Sequence, residues 1–207
     1  MVNKKTIFRE TRAYPVVFML LITIVFVGIL AVLYQLTLHR VQTYRETQLK
    51  SMVLRTFDLP ENDVEANFTK FISLREEADL TYYEATKDSV LLGFCFPISG
   101  SGLWSTIQAL LAVTPDFKNI IDIEIVSQNE TPGLGGRITE SWFKAQFKGK
   151  LLVENHLIQQ FTLIPENDQI KGFEINQITG ATASSKAVVD MIYKNVLKYS
   201  KEMRAEL

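Results

Sequence analysis

Between Ala13 and Leu38 the chain carries no lysine, arginine, aspartate or glutamate, and no other feature restricts its folding so sharply. Val16 to Leu33 is a nearly unbroken run of Val, Ile, Leu, Phe and Met. A helix of about 20 apolar residues spans the hydrocarbon core of a bilayer. The apolar region of a cleaved signal peptide is shorter, roughly 7–15 residues, and is followed by a small-x-small cleavage site that this chain lacks. The sequence therefore predicts one transmembrane helix over residues 13–38, with Tyr14 and Tyr34 in the interfacial belts.

Positive charge sets the expected orientation. Lys4, Lys5, Arg9 and Arg12 crowd the tail before the span, whereas Arg40, Arg45 and Lys50 are spread out after it. Cytoplasmic flanks carry the excess of Lys and Arg. Residues 1–12 are thus expected to form a cytoplasmic tail, residues 39–59 a helical stalk, and residues 60–207 an extracytoplasmic domain. The net charge is −1 with a basic tail, so the outer part is mildly acidic and offers no electrostatic footprint for nucleic acid. Cys95 is the only cysteine, which excludes an internal disulfide, and His39 and His156 belong to no metal-ligand cluster.

The outer part reads as α+β, an antiparallel sheet with flanking helices. Pro60 to Asp63 breaks the stalk and opens a helix with Val64, Phe68, Phe71 and Ile72 on one face. From Thr81 the apolar period changes to two. Tyr83 and Ala85, then Val90, Leu92, Phe94 and Phe96, flank the turn Lys87-Asp88-Ser89. A second hairpin joins Ser105–Val113, with Ile107, Ala109 and Leu111 on one side, to Ile120–Val126 across Thr114–Asn119. An amphipathic helix with Trp142, Phe143 and Phe147 follows, then short strands near 151–153, 161–164 and 175–178. The last helix, from Ser184 to about Met203, aligns Val188, Met191, Ile192, Val196 and Tyr199. Cys95, between Phe94 and Phe96, reads as a core residue.

Three loops are suited to close backbone approach. They are Ser99-Gly100-Ser101-Gly102 with Leu103-Trp104, Asn129-Glu130-Thr131-Pro132-Gly133-Leu134-Gly135-Gly136, and Thr179-Gly180-Ala181-Thr182-Ala183-Ser184. Glycine lets the main chain touch a flat ligand without a side chain intervening, but each loop taken singly is also an ordinary turn. In the third loop, hydroxyls stand where a helix begins. They either cap the helix or place a phosphate against its N–H groups and positive dipole end. The chain has no P-loop, no strand–GxGxxG–helix unit and no G-x-S-x-G element.

Together the three loops resemble those of the covalent-FMN subunits of redox-driven ion pumps: the G subunit of the Rnf complex and the C subunit of the sodium-pumping NADH:quinone reductase. The resemblance runs from the N-terminal span to the last helix, and its most specific element is Glu130–Gly135 paired with Thr179–Thr182. Leu103-Trp104-Ser105 is closer to the quinone-reductase branch, and the short length is closer to the Rnf branch. The resemblance implies FMN esterified through its phosphate to Thr182 by a separate flavin transferase. Gly180 and Ala181 would leave room for a phosphate and a docking enzyme, and the N–H groups of Ala183, Ser184 and Ser185 would meet the phosphate. Leu134, between Gly133 and Gly135, would press on the ring face, and Glu130 and Thr131 would bond the ribityl chain or ring edge. Trp104 is either a ring-side contact or a core aromatic. The implied partners are integral membrane subunits of the same redox complex, in the cell's inner membrane. The chain departs from the family pattern at Asn176, where Asp is usual, and at Gln128, where His is frequent. Two other readings use the same residues: an anchored binding or sensory module without flavin, and a structural tether of the envelope.

Overall fold

The computed structural model describes residues 13–77, 80–154 and 156–203, so the expected 1–12 tail lies outside the described residues. The chain divides into two compact units, residues 1–46 and 47–207. The first unit consists, as described, of helix α1, which runs from Ala13 to Thr56 and enters the second unit at Thr47. Its apolar side chains from Val16 to Leu36 are exposed, and an 18-residue window reaches a mean hydropathy of 3.2. By length and composition this helix can cross a membrane. Two threonines of its apolar stretch bond back within the helix, Thr23 donating to the Met19 carbonyl at 2.8 Å and Thr37 to the Leu33 carbonyl at 2.9 Å.

The second unit is built on an antiparallel five-stranded meander. Its strands are β1 (Ile72–Glu77), β2 (Leu80–Lys87), β3 (Val90–Ser101), β4 (Thr106–Val113) and β5 (Ile120–Ser127), in that spatial order. The β2–β3 connection has Asp88 and Ser89 both at positive φ, +52° and +63°. This is the backbone that a tight hairpin turn requires to match the strand twist.

Helix α2 (Val64–Phe71) precedes the sheet, with Asp63 as its N-cap accepting the Ala66 N–H at 3.1 Å. After β5 come one turn of 3-10 helix (Gly135–Thr139) and the short helix α3 (Ser141–Ala145). The pairs β6–β7 (Val153–Glu154, Leu157–Ile158) and β8–β9 (Thr162–Ile164, Glu174–Asn176) follow, the second pair parallel. Helix α4 (Thr182–Glu202) ends the fold.

Each face of the sheet is covered. On one side α4 lays Val188, Met191, Ile192, Val196 and Tyr199 against Phe96, Ile98, Ile107, Ala109, Leu111 and Ile123. Tyr199 stacks on Phe96 with ring centroids 4.3 Å apart and donates its hydroxyl to the Pro97 carbonyl at 2.8 Å. Gly100 admits α4 here, since a Cβ would stand 2.8 Å from the Met191 Cβ. On the other side the end of α1 and helix α2 cover Ala85, Cys95, Leu110 and Ala112 with Val53, Leu54, Phe57 and Phe71.

Four expectations are corrected. The compact unit begins at Thr47, so residues 47–59 are core-forming and not a stalk; Val53 and Leu54 have no solvent exposure. Ile72 opens strand β1 instead of closing a helix. The predicted amphipathic helix shrinks to α3, and Phe147 is buried from the turn beyond it. The last helix also starts two positions earlier than its apolar stripe indicates, at Thr182.

Candidate functional site

The three loops converge at the start of α4. Glu130 is the centre of the convergence, and its side chain is almost wholly buried (4% exposed). Its Oε1 accepts the backbone N–H of Trp104 at 3.1 Å, and its Oε2 accepts the hydroxyl of Ser184. A buried carboxylate is costly unless its lone pairs are engaged, and here one carboxylate from the second loop engages both other loops. Two glycines are required by the same packing. A Cβ on Gly102 would stand 2.5 Å from Glu130 Oε1, and one on Gly135 would overlap Ser184 Oγ. Gln128 accepts the Glu130 N–H through Oε1.

The outer layer of the site is exposed. Thr131 accepts the Trp104 indole N–H on its hydroxyl at 3.2 Å, while its carbonyl accepts the N–H groups of Leu134 and Gly136 at 3.1 and 3.0 Å. The Trp104 ring is 72% exposed, which rules out a core role, and Leu103 and Leu134 are exposed beside it in the same two loops. Gly133 and Gly180 adopt φ of +74° and +77°, conformations that glycine takes without strain. Leu134 Cδ2 lies only 3.2 Å from where a Gly180 Cβ would be, so the second and third loops touch.

Ala181 is the N-cap of α4 and has no capping side chain, so neither Thr179 nor Thr182 caps this helix. Ser185 turns inward instead, accepting the Ile178 N–H at 3.0 Å and donating to the Ala181 carbonyl at 3.1 Å. Thr182 and Ala183 are exposed on the first turn, where the backbone N–H groups have no intrahelical acceptor. Beside Thr182 opens a cavity of about 420 Å³, lined also by Phe161, Leu163, Gln177, Lys186 and Asp190. Thr179 donates its N–H to Glu166 at 2.7 Å, and Glu166 also pairs with Arg137 at 3.1 Å. Bonds from Thr179 and the adjacent guanidinium hold the Glu166 carboxyl below the usual glutamate range.

The structure thus brings Trp104, Glu130, Thr131, Gly133, Leu134, Gly135, Thr179, Gly180, Ala181 and Ser184 into one assembly with Thr182 at its rim. It turns the Glu130 carboxylate inward, onto the Trp104 backbone N–H and the Ser184 hydroxyl. Glu166, Arg137 and the cavity residues are not visible as site residues in the sequence. They lie in no glycine motif, and Glu166 sits in a polar turn like many others.

Residues 102–197 match the FMN-binding domain family. The chain is 34% identical over 160 residues to the G subunit of the proton-translocating ferredoxin:NAD(+) oxidoreductase complex of Clostridium ljungdahlii, covering 77% of this chain and 76% of that one. It is 37% identical over 95 residues to the C subunit of the Na(+)-translocating NADH-quinone reductase of Vibrio anguillarum, spanning 44% of this chain and 36% of that relative. In fold it is similar to the crystal structure of the C subunit of the Na(+)-translocating NADH-quinone reductase of Parabacteroides distasonis, with a TM-score of 0.68 at 21% identity over 80% of this chain and 96% of that one. The chain therefore belongs to the family of FMN-binding-domain proteins that includes the G subunits of the ferredoxin:NAD(+) oxidoreductase complexes and the C subunits of the Na(+)-translocating NADH-quinone reductases.

Proposed function

We propose that the chain is the FMN-carrying electron-transfer subunit of an Rnf-type ion-translocating oxidoreductase complex, with the flavin esterified to Thr182. The observation that carries this reading is the setting of Thr182: an exposed threonine on the uncapped first turn of α4, at the rim of a cavity of about 420 Å³. A phosphate there meets free backbone N–H groups and the positive end of a helix dipole. The cavity lies within the usual size range of small-molecule sites, roughly 300–1,000 Å³. The exposed Leu134 and Trp104 add apolar surface near Gly180 for a flat ring. The residues present therefore fit FMN.

Bound there, FMN supplies reversible uptake and release of electrons, chemistry no side chain of this chain provides. The chain's own part is to hold the phosphate, orient the ring and tune its surroundings. An Rnf-type host is favoured because identity to the Clostridium G subunit extends over 160 residues, against 95 for the Vibrio C subunit. Residues 13–38 anchor the chain in the inner membrane, with the tail cytoplasmic and the flavin domain on the opposite side. The span contains no ionisable Asp, Glu, Lys or Arg. Ion passage therefore belongs to the integral membrane subunits it assembles with.

The ester requires an activated donor. With FAD, the bond from Thr182 Oγ to the FMN phosphorus forms, the phosphoanhydride bond breaks, AMP leaves, and the hydroxyl proton is given up; a separate flavin transferase carries this out. The test is direct. Protein co-expressed with a flavin transferase should show the visible bands of oxidised flavin and a fluorescent band after denaturing electrophoresis, and Thr182→Ala should abolish the band. A colourless protein that takes up no FMN would leave the flavin-free binding module as the reading. Fluorescence that survives in Thr182→Ala would move the link elsewhere.

A further inference from the structure

Two carboxylates grip the Thr179–Ser184 segment, one at each end. Glu130 holds Ser184 from within the glycine loop, whereas Glu166 holds Thr179 from the turn after β8 and belongs to no motif. Its Oε2 accepts the Thr179 N–H at 2.7 Å and its Oε1 accepts Arg137 Nη2 at 3.1 Å. Arg137 lies directly after the glycine loop, over the Trp142 ring at 5.3 Å, and also pairs with Glu140 at 3.3 Å. Glu166 therefore joins the glycine loop to the backbone just before the Gly180 bend. Its side chain is only 17% exposed, so these bonds are partly shielded from water.

Asn176 secures the turn that carries Glu166. Its Nδ2 donates to the Pro165 carbonyl at 2.8 Å and to the Asp168 carbonyl at 3.0 Å. A carboxylate at this position would face two carbonyl oxygens with nothing to donate. Asn176 thus holds the backbone on both sides of Glu166.

We propose that Glu166 is a positioning residue for the loading of Thr182: by fixing the Thr179 backbone and Arg137 it sets the Gly180 bend and holds the Thr182 hydroxyl outward for attack on the activated phosphate. The proposal rests on the reading that Thr182 carries FMN. Glu166 bonds neither the Thr182 hydroxyl nor any reacting atom; it acts through the backbone of the segment.

The test uses full-length protein purified in detergent from cells lacking a flavin transferase, then incubated with a transferase and FAD. Two quantities are followed: fluorescence of the denatured band over time, and backbone amide exchange of unloaded protein. Glu166→Ala is expected to slow loading by about tenfold or more. It should also speed exchange at Thr179 and Gly180 while leaving the amides of residues 188–199 unchanged. Glu166→Gln keeps an acceptor for Thr179 but loses the charge that pairs Arg137, and should fall between wild type and Glu166→Ala; it serves alone if the alanine variant does not fold. Loading at the wild-type rate overturns the proposal. So does slowed loading with unchanged exchange, because Glu166 would then act by contact with the transferase. Wild type that gains no band, or Thr182→Ala that gains one, overturns the reading beneath the proposal, and the proposal falls with it.

Discussion

The two faces of the five-stranded sheet are both buried, yet they are built for different work. The α4 face is thick and aromatic, with Tyr82, Phe94, Phe96, Phe117 and Tyr199 in mutual ring contact. At its end this face delivers the start of α4 into the three-loop site. The opposite face uses small residues, Ala85, Cys95 and Ala112, to receive the end of α1 and helix α2. Two ion pairs fasten the connection after α1: Glu61 with Arg55 at the end of α1 at 2.9 Å, and Asp58 with Lys148 at 2.9 Å. One face leads into the start of α4 at the three loops, and the other packs the end of α1. Equal losses of stability on the two faces should therefore have unequal consequences for the site.

The sharpest way to break that division is a matched pair of core truncations. Ile192→Ala under α4 and Leu54→Ala at the end of α1 should each destabilise the domain by about 2–5 kcal/mol, read as a fall in the denaturant midpoint. Flavin loading of the folded fraction should drop for Ile192→Ala and hold for Leu54→Ala. Equal loading in the two would erase the distinction.

Next in size is Gly135→Ala. Its Cβ would overlap Ser184 Oγ and fall 2.9 Å from the Glu130 Cβ. The loop or the helix start must shift, at about 1–3 kcal/mol, and thermal unfolding together with loading should report both losses.

A smaller effect is expected at Cys95, on the anchor face, where burial pushes the thiol up to about 12. Alkylation at pH 8 should leave the native protein unmodified and label it only after unfolding. Rapid native labelling would mean that this face opens.

The smallest effect is local and depends on pH. The Glu166 carboxyl is lowered in the folded protein by Thr179 and Arg137. Its contribution is therefore complete above the ordinary glutamate range and is lost as pH falls through the lower folded value. Exchange protection at Thr179 should persist down through the ordinary glutamate range and fade only at pH below it. Loss of protection near pH 6 would remove Glu166 as its cause.

How far the sequence is legible follows the same physics. The β2–β3 and β4–β5 hairpins are readable because period-two alternation meets strong turn residues. Within β4, however, Leu110 and Ala112 are buried as well as Ile107, Ala109 and Leu111, because the sheet is covered on both sides. Strand β1 leaves only a faint mark, since Ile72 alone of its six residues is buried and the apolar alternation in ISLREE stops at Leu74. The end of α1 resembles a polar stalk because its buried residues, Val53 and Leu54, are adjacent and followed by a charge. At the site, the glycine and hydroxyl loops are visible as motifs and do meet around Glu130. That this carboxylate faces inward, and that Glu166 serves the other end of the segment, depends on contacts between residues 13 to 54 positions apart. No local pattern records such contacts.

Glu130 has one further consequence. Because a single sequestered carboxylate fastens both Trp104 and Ser184, no loop of the site can relax independently of its neighbours. A redox group seated on such a frame would gain and lose charge with little nuclear rearrangement around it, since the surrounding dipoles are already fixed. Low reorganisation energy at a relay point favours fast electron hopping, and a glutamate buried beneath the loops would supply it without touching the electron's carrier.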